Sequence, residues 1–410
     1  MCALDRLNFF LADVQTGVGP FIAVYLAAMH WNPAEVGLVL TCGGLAGVMA
    51  QTPAGALVDA ARSKRLLLAI ALAVVAAAST VFAIRPVVSA VIGAQVILGA
   101  AGAFLAPTVT AISLGIVGRS EFDRRFGRNQ TFNAAGNVAA ALFMGAIGYW
   151  ISNRAIFLSV PFLVVPCLLA LRGIRPQEID HARARGARVV EGAEQASGFA
   201  VLTSDRTLLA FIACAVLFHF ANAAMLPQLG EMLAGGRSRL AAPFMSACVI
   251  VTQLVMAVSA TWIGGRAATW GRRPLLLVGF GILPIRAVLY TLTGSVPLLV
   301  GIQVLDGLAN AIFGVVSILI IADLTNGTGR FNITQGVLAT SVGVGASLSN
   351  AFAGWLVLRS GFSFSFLGLA AIALFAWILL WVAVPETLGR GEAAPACRRR
   401  MAADTKNRGC

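Results

Sequence analysis

Asp13, His219, Asp306 and Arg286 stand inside long apolar runs. A charge in hydrocarbon costs at least about 2.5–3.5 kcal/mol at a helix centre, so each needs a reason to be there. A buried carboxyl can take up and release a proton; an imidazole can titrate near neutrality. The structural alternatives are an aspartate bonded to a neighbouring helix and a histidine donating one hydrogen bond between helices. Arg286 lies seven residues from the end of its run and Asp306 nine from the start of the next. Their depths agree, so they read either as an ion pair between adjacent helices or as leaving Asp306 to a ligand.

Amides accompany these charges. Gln15 and Thr16 follow Asp13, and Asn222 shares a helical face with His219. Pro227 can bend that helix. Glu231, near its outer end, is expected to face water. Gln303, Asp306 and Asn310 recur at i, i+3 and i+7, the pattern of a cavity wall on an otherwise apolar helix. Asn133 and Asn137 share a face, preceded by Asn129 and Gln130, while Gln335 and Asn350 mirror them in the second half. The small residues nearby (Gly136, Gly145, Gly343, Gly345, Ala346) permit close helix packing without any ligand.

The elements that must position these groups are membrane-spanning helices. A bilayer core about 30 Å thick needs about 20 apolar residues per crossing. Twelve such runs are predicted, at 7–29, 35–58, 66–84, 86–117, 132–151, 155–171, 207–233, 241–263, 275–293, 297–322, 334–357 and 361–384. Of the 410 residues 59% are hydrophobic and 11% charged, against about 25% charged in a soluble domain. The runs are continuously apolar, which excludes the alternation of a β-barrel.

The net charge of +13 invites a nucleic-acid reading, but its placement argues for topology. Of 30 Lys and Arg, 24 fall in the N-terminus, the even-numbered loops and the tail, 5 in the opposite loops, and Arg286 inside a span. Basic residues stay cytoplasmic on insertion, so both termini are expected there, in the inner membrane. The seven cysteines show no metal spacing and most sit in apolar runs, so neither disulfide nor metal is assigned. The first span is too long for a signal-peptide core and reads as a helix.

Residues 172–206 read as a cytoplasmic linker between an N-terminal six-helix bundle, 1–171, and a C-terminal one, 207–384; a basic cytoplasmic tail spans 385–410. The bundles echo one another. Gly93, Gln95, Val96 and Gly99 match Gly301, Gln303, Val304 and Gly307 at an offset of 208. Gln130, Ala134 and Trp150 match Gln335, Ala339 and Trp355 at 205, and Pro20 matches Pro227 at 207. Three sets in order at one near-constant offset mark an internal repeat.

The loop after the second span, Gly55-Ala56-Leu57-Val58-Asp59-Ala60-Ala61-Arg62-Ser63-Lys64-Arg65, resembles the signature G-x-L-A-D-R-x-G-R-K/R of the major facilitator superfamily. A degenerate second copy runs from Gly264 to Pro274 and includes Gly271, Arg272 and Arg273. The resemblance implies an all-α membrane protein, twelve transmembrane helices in two pseudo-symmetric six-helix bundles, with spans 1, 4, 7 and 10 around a central cavity. It also implies a charged cytoplasmic latch through Gly55, Asp59, Lys64 and Arg65 and the second copy. Ala60 replaces the usual arginine, Arg62 the glycine and Ala268 the second aspartate, which weakens or re-partners that latch. The chain departs from the drug antiporters of the superfamily: Gln95 stands where they carry an arginine, and Gly136-Asn137-Val138-Ala139-Ala140 lacks their proline.

The expected function is secondary active transport of a small organic solute by alternating access, driven by protons, with export of an amphipathic compound favoured. Proton-coupled uptake of a metabolite is the alternative within transport, and a non-transporting assembly factor of the same fold the alternative outside it. Asp13, His219 and Asp306 are the proton-coupling candidates; Gln15, Gln95, Asn133, Asn137, Asn222, Gln303 and Asn310 are the cavity candidates. No cofactor, nucleic acid or enzymatic centre is expected, and a monomer in the lipid bilayer is.

Overall fold

The computed structural model describes residues 2–180, 205–325 and 331–388. The remainder of the linker (181–204) and of the tail (389–410) lies outside the described residues, as does Arg330. Among the described residues, eleven helices are long and apolar enough to cross a membrane. They are α1 (Ala3–Ala28), α2 (Pro33–Ala60), α3 (Lys64–Ile84), α4 (Val88–Gly118), α5 (Arg124–Trp150) and α6 (Asn153–Arg172) in the first half. The second half holds α7 (Arg206–Gly236), α8 (Arg239–Trp270), α9 (Arg272–Leu292), α10 (Val296–Leu324) and Ile333–Ala383.

The last of these has 51 residues, about 77 Å at 1.5 Å per residue, more than twice a bilayer core of about 30 Å. Gly361 breaks it with φ 84°, a conformation that glycine reaches without steric cost. It therefore supplies two crossings, α11 (333–360) and α12 (362–383), and the chain crosses twelve times. The largest departures from the predicted ends are at α5, which starts eight residues early, and α8, which ends seven late. Both extensions carry arginines that a search for apolar runs rejects but a helix leaving the membrane accepts.

Local signals set several helix starts. Asn32 and Glu35 form a capping box behind Pro33. Ser63, Ser152 and Asp205 cap α3, α6 and α7. The repeat is visible in two matching interruptions: α1 breaks at Gly19–Pro20, and α7 at Ala224, three residues before Pro227. A proline ring excludes the carbonyl four residues back, which is Ala223 for Pro227.

The crown of the bundle, the end bearing residues 29–32 and 151–152, is where the two halves meet. Residues of α2 and α11 touch backbone to backbone: a Cβ on Gly37 would strike the carbonyl of Asn350, and one on Gly354 the carbonyl of Pro33. Thr41 Oγ1 donates to the Ser347 carbonyl at 2.7 Å and accepts from the Ala351 amide at 2.9 Å. Beside them Gly145 and Gly148 of α5 press on Ser246 and Ala242 of α8. The N-terminal core accordingly runs on into Leu229, Met245, Tyr290 and Phe366 of the second half, while a separate core fills the opposite end of that half. Toward the base the same stripes come apart. Gln51 and Thr52 continue the contact face of α2, and Gly336, Ala339 and Thr340 that of α11; all five are exposed. The halves close at the crown and part at the base.

Candidate functional site

Gln15, Asn137, Asn222 and Asn310 each fall within one residue of the midpoint of their helices, α1, α5, α7 and α10. They lie in a polar layer at mid-depth, and the two halves fill it differently.

In the second half the layer is a connected charge network. Arg286 of α9, 1% exposed, pairs with Asp306 Oδ1 of α10. Its other nitrogen donates to Asn222 Oδ1 of α7 at 2.5 Å, and Met225 Sδ lies 2.9 Å away. Asp306 also accepts from Thr252 Oγ1 of α8 at 3.2 Å and from Asn310 Nδ2 at 2.9 Å, while Asn222 Nδ2 donates to Asn310 Oδ1 at 3.3 Å. Four helices are joined through one ion pair, the arrangement in which each buried charge is compensated. Gln303 sits off the cleft, fully buried, donating to Tyr290 Oη at 2.9 Å. Its place on the i, i+3, i+7 stripe put it on a cavity wall; the aromatic hydroxyl on α9 draws it between α9 and α10 instead.

His219 lies one turn from Asn222 without joining this network. Its ring packs edge-on against Phe313 at 4.6 Å and against Phe218 at 5.2 Å, and its buried Nε2 has no hydrogen-bond partner. Glu231, expected to face water, is 6% exposed. It follows Gly230, where α7 meets Val24 of α1 and Met245 of α8, so closure of the crown covers it.

In the first half the layer holds a single charge. Asp13 is 6% exposed, and its Oδ1 has no hydrogen-bond partner. It is ten residues into α1 rather than six, because the helix starts at Ala3, so it is about 15 Å deep. The amides beside it bond one another: Thr16 Oγ1 donates to Asn137 Oδ1 at 2.7 Å, and Asn137 Nδ2 to Asn133 Oδ1 at 3.3 Å. Gln15 is exposed. Gln95, a cavity candidate, is placed inside the half, against Gly43 of α2, because that glycine leaves room for it.

The base carries the signature loops, and they too differ. Lys64 Nζ donates to the Val58 carbonyl at 2.8 Å, closing the end of α2. Gly55 has nothing beside it. Asp59 is exposed and forms no ion pair among the described residues, while Arg65 Nε is buried without a partner. The second copy is engaged through more contacts, although Arg273 Nε, like Arg65 Nε, is buried without a partner. Gly271 takes φ 95°, which lets Glu386 reach the start of α9 and accept from the amides of Arg272 at 2.9 Å and Arg273 at 3.0 Å. Arg272 Nε bonds Asp323 at 3.1 Å, Asp323 accepts from Thr387 Oγ1 at 3.1 Å, and Arg273 donates to the Trp381 carbonyl. Burial alone would raise the Glu386 carboxyl; four backbone amides, of Leu388, Arg272, Arg273 and Thr387, outweigh it and hold the group below the usual carboxylate range.

Sequence reasoning missed one cluster. Asp5 accepts from Arg125 at 2.6 Å and, at both oxygens, from Arg128 at 3.0 and 2.7 Å. Arg125 continues to Asn129 and Asn129 to Ser113, tying α1, α5 and α4 together at the base. The three arginine-side residues lay outside the predicted fifth span, which hid the four-residue spacing of Arg125 and Asn129.

Among the described residues no group of His, Cys, Asp and Glu is disposed to hold a metal. The profile of the Major Facilitator Superfamily matches residues 7–283, more than half the chain. Two uncharacterized MFS-type transporters of Mycobacterium tuberculosis, from strains CDC 1551 / Oshkosh and ATCC 25618 / H37Rv, are each 43% identical over 389 residues, covering 94% of this chain and 93% of the relative. Among solved structures, the nucleoside transporter NupG aligns with a TM-score of 0.78 at 16% identity, covering 93% of this chain and 98% of that one. A point mutant of it aligns with the same score over 94% and 99%.

Proposed function

The chain belongs to the Major Facilitator Superfamily and is a multi-pass secondary transporter, not an enzyme; on that premise we propose that it exports a small amphipathic organic solute, neutral or cationic, in exchange for protons. One observation carries the solute class. At mid-depth the guanidinium of Arg286 is already held by Asp306 and Asn222, so among the described residues the layer offers a solute amides but no unengaged cation for a polyanion. Amides from both halves, at the midpoints of α5, α7 and α10, suit a site that each half faces in turn.

Placing the base in the cytoplasm, by the distribution of arginines, makes this conformation inward-open, with the crown sealed on the outside and both termini inside. The protein acts as a monomer in the cytoplasmic membrane. Proton-coupled uptake of a polar metabolite is the second reading, favoured by the amide-rich layer.

The test is flux in proteoliposomes under an imposed pH gradient, screening radiolabelled pools of lipophilic amines, nucleosides and sugars. Exchange of a lipophilic amine against protons supports export. Movement of a neutral metabolite with protons supports uptake, and transport of organic polyanions overturns the assigned solute class.

A further inference from the structure

The carboxyl of Asp13 does not point where the cavity reading needs it. Two residues of helix turn the side chain about 200°, so Asp13 and the exposed Gln15 lie on nearly opposite faces of α1. Asp13 lines a separate cavity of about 140 Å³ whose other walls are Ala139, Ala140 and Phe143 of α5 and Leu163 of α6. No residue of α2, α4 or the second half lines it. Phe143 is 47% exposed at its rim, and because no residue of the second half or of the cleft borders this cavity, that exposed side is the one turned to lipid. The carboxyl is more than nine-tenths buried, its Oδ1 is unpartnered, and it borders this space.

The geometry points to a proton site at Asp13 that opens toward the bilayer between α5 and α6, off the solute's path. An unpaired carboxylate at that depth has no counter-charge and no water-filled cleft to stabilise it, so the group holds a proton or admits a cation from its own cavity. The titratable group facing it is the thiol of Cys167 on α6; α5 presents only Ala139, Ala140 and Phe143. Solute and proton then communicate through packing. α1 and α5 are in contact so close that a Cβ on Gly136 would strike the Phe9 carbonyl and Ala12. A change of volume or charge at Asp13 thus shifts α1 against the helix that carries Asn133 and Asn137. This deepens the proton-coupled reading by giving its proton a separate door.

Carbodiimides test the door without requiring transport. Purified protein in lipid nanodiscs is treated with membrane-soluble dicyclohexylcarbodiimide or with a water-soluble carbodiimide, and modification of the Asp13 peptide is read by mass spectrometry. The expected result is modification by the membrane-soluble reagent alone. Ala139→Leu, which narrows the cavity from its partly exposed side, abolishes it, whereas Gln15→Trp on the opposite face of α1 leaves it intact. Equal modification by both reagents, or loss in Gln15→Trp with retention in Ala139→Leu, overturns the inference, as does absence of modification by either. The reagent pair on the unaltered protein remains decisive even if Ala139→Leu fails to fold. Modification as expected in a protein that moves no protons with solute would break the coupling reading while leaving the site standing.

Discussion

The two halves share a fold and a repeat, yet handle buried charge in opposite ways. The second half neutralises its mid-depth carboxylate with Arg286 and fixes the pair through Asn222, Asn310 and Thr252. The first half leaves Asp13 without a partner for Oδ1 and routes its amides to one another. The signature loops differ likewise, the better copy leaving Asp59 unpaired and the degenerate copy bound through Arg272, Asp323 and Glu386, although elsewhere at the base the first half pairs Asp5 with Arg125 and Arg128. A matched pair stores structure, whereas a single titratable group is free to change state. The second half is therefore suited to hold a solute site in shape, and the first to respond to protons.

Removing one side of the pair should have the largest effect. Arg286→Met leaves Asp306 uncompensated, and breaking a buried ion pair this way costs about 3–5 kcal/mol. Thermal unfolding in detergent should show a strongly lowered midpoint, largely restored in Arg286→Met/Asp306→Asn. Asp13→Asn, by contrast, should leave the midpoint unchanged or raised; a large drop would mean that Asp13 is paired after all and erase the contrast.

Next comes the crown. Gly37→Ala drives a methyl into the Asn350 carbonyl, and Thr41→Val removes two hydrogen bonds worth about 1 kcal/mol each. Both should favour the crown-open state, Gly37→Ala more. Spin labels at Leu38→Cys and Leu358→Cys would report longer distances, and unaltered distances would show that this seal does not set the conformational balance.

At the base, Glu386→Ala should cost about 1.5–3 kcal/mol, the value of hydrogen bonds to a charged group. Because its carboxyl is held below the ordinary range when folded, its contribution is present above the unfolded value and lost as pH falls through the folded one. Melting of the unaltered protein should therefore weaken on acidification, and Glu386→Gln should flatten that acid limb. The smallest effect belongs to Asp59→Asn: exposed and unpaired, it should shift stability by less than about 0.5 kcal/mol. A marked loss of transport in that variant would show that Asp59 finds its partner in the other access state.

Much of this was legible in the chain. Twelve apolar runs, arginine placement and the repeat give the crossings, and the break in α7 follows from Pro227. Depth was legible as well, since Arg286 and Asp306 could be matched by counting. Facing was not. Gln95 and Gln303 occupy equivalent repeat positions and were expected on the cavity, yet one fills the space left by Gly43 and the other reaches Tyr290. Which side of a helix meets lipid, cleft or neighbour depends on tertiary packing that an all-apolar helix does not encode, because lipid and protein interior select the same residues. Asp5 was hidden for a related reason: its partners are more than a hundred residues away on α5.

The division of labour between the halves is tested most directly by proton movement in proteoliposomes containing an internal pH dye, for the unaltered protein, Asp13→Asn and Asn310→Ala, with solute binding measured in parallel. The account predicts that Asp13→Asn binds solute and moves no protons, while Asn310→Ala loses solute affinity and regains proton movement at higher solute concentration. Solute-driven proton movement undiminished in Asp13→Asn would contradict it.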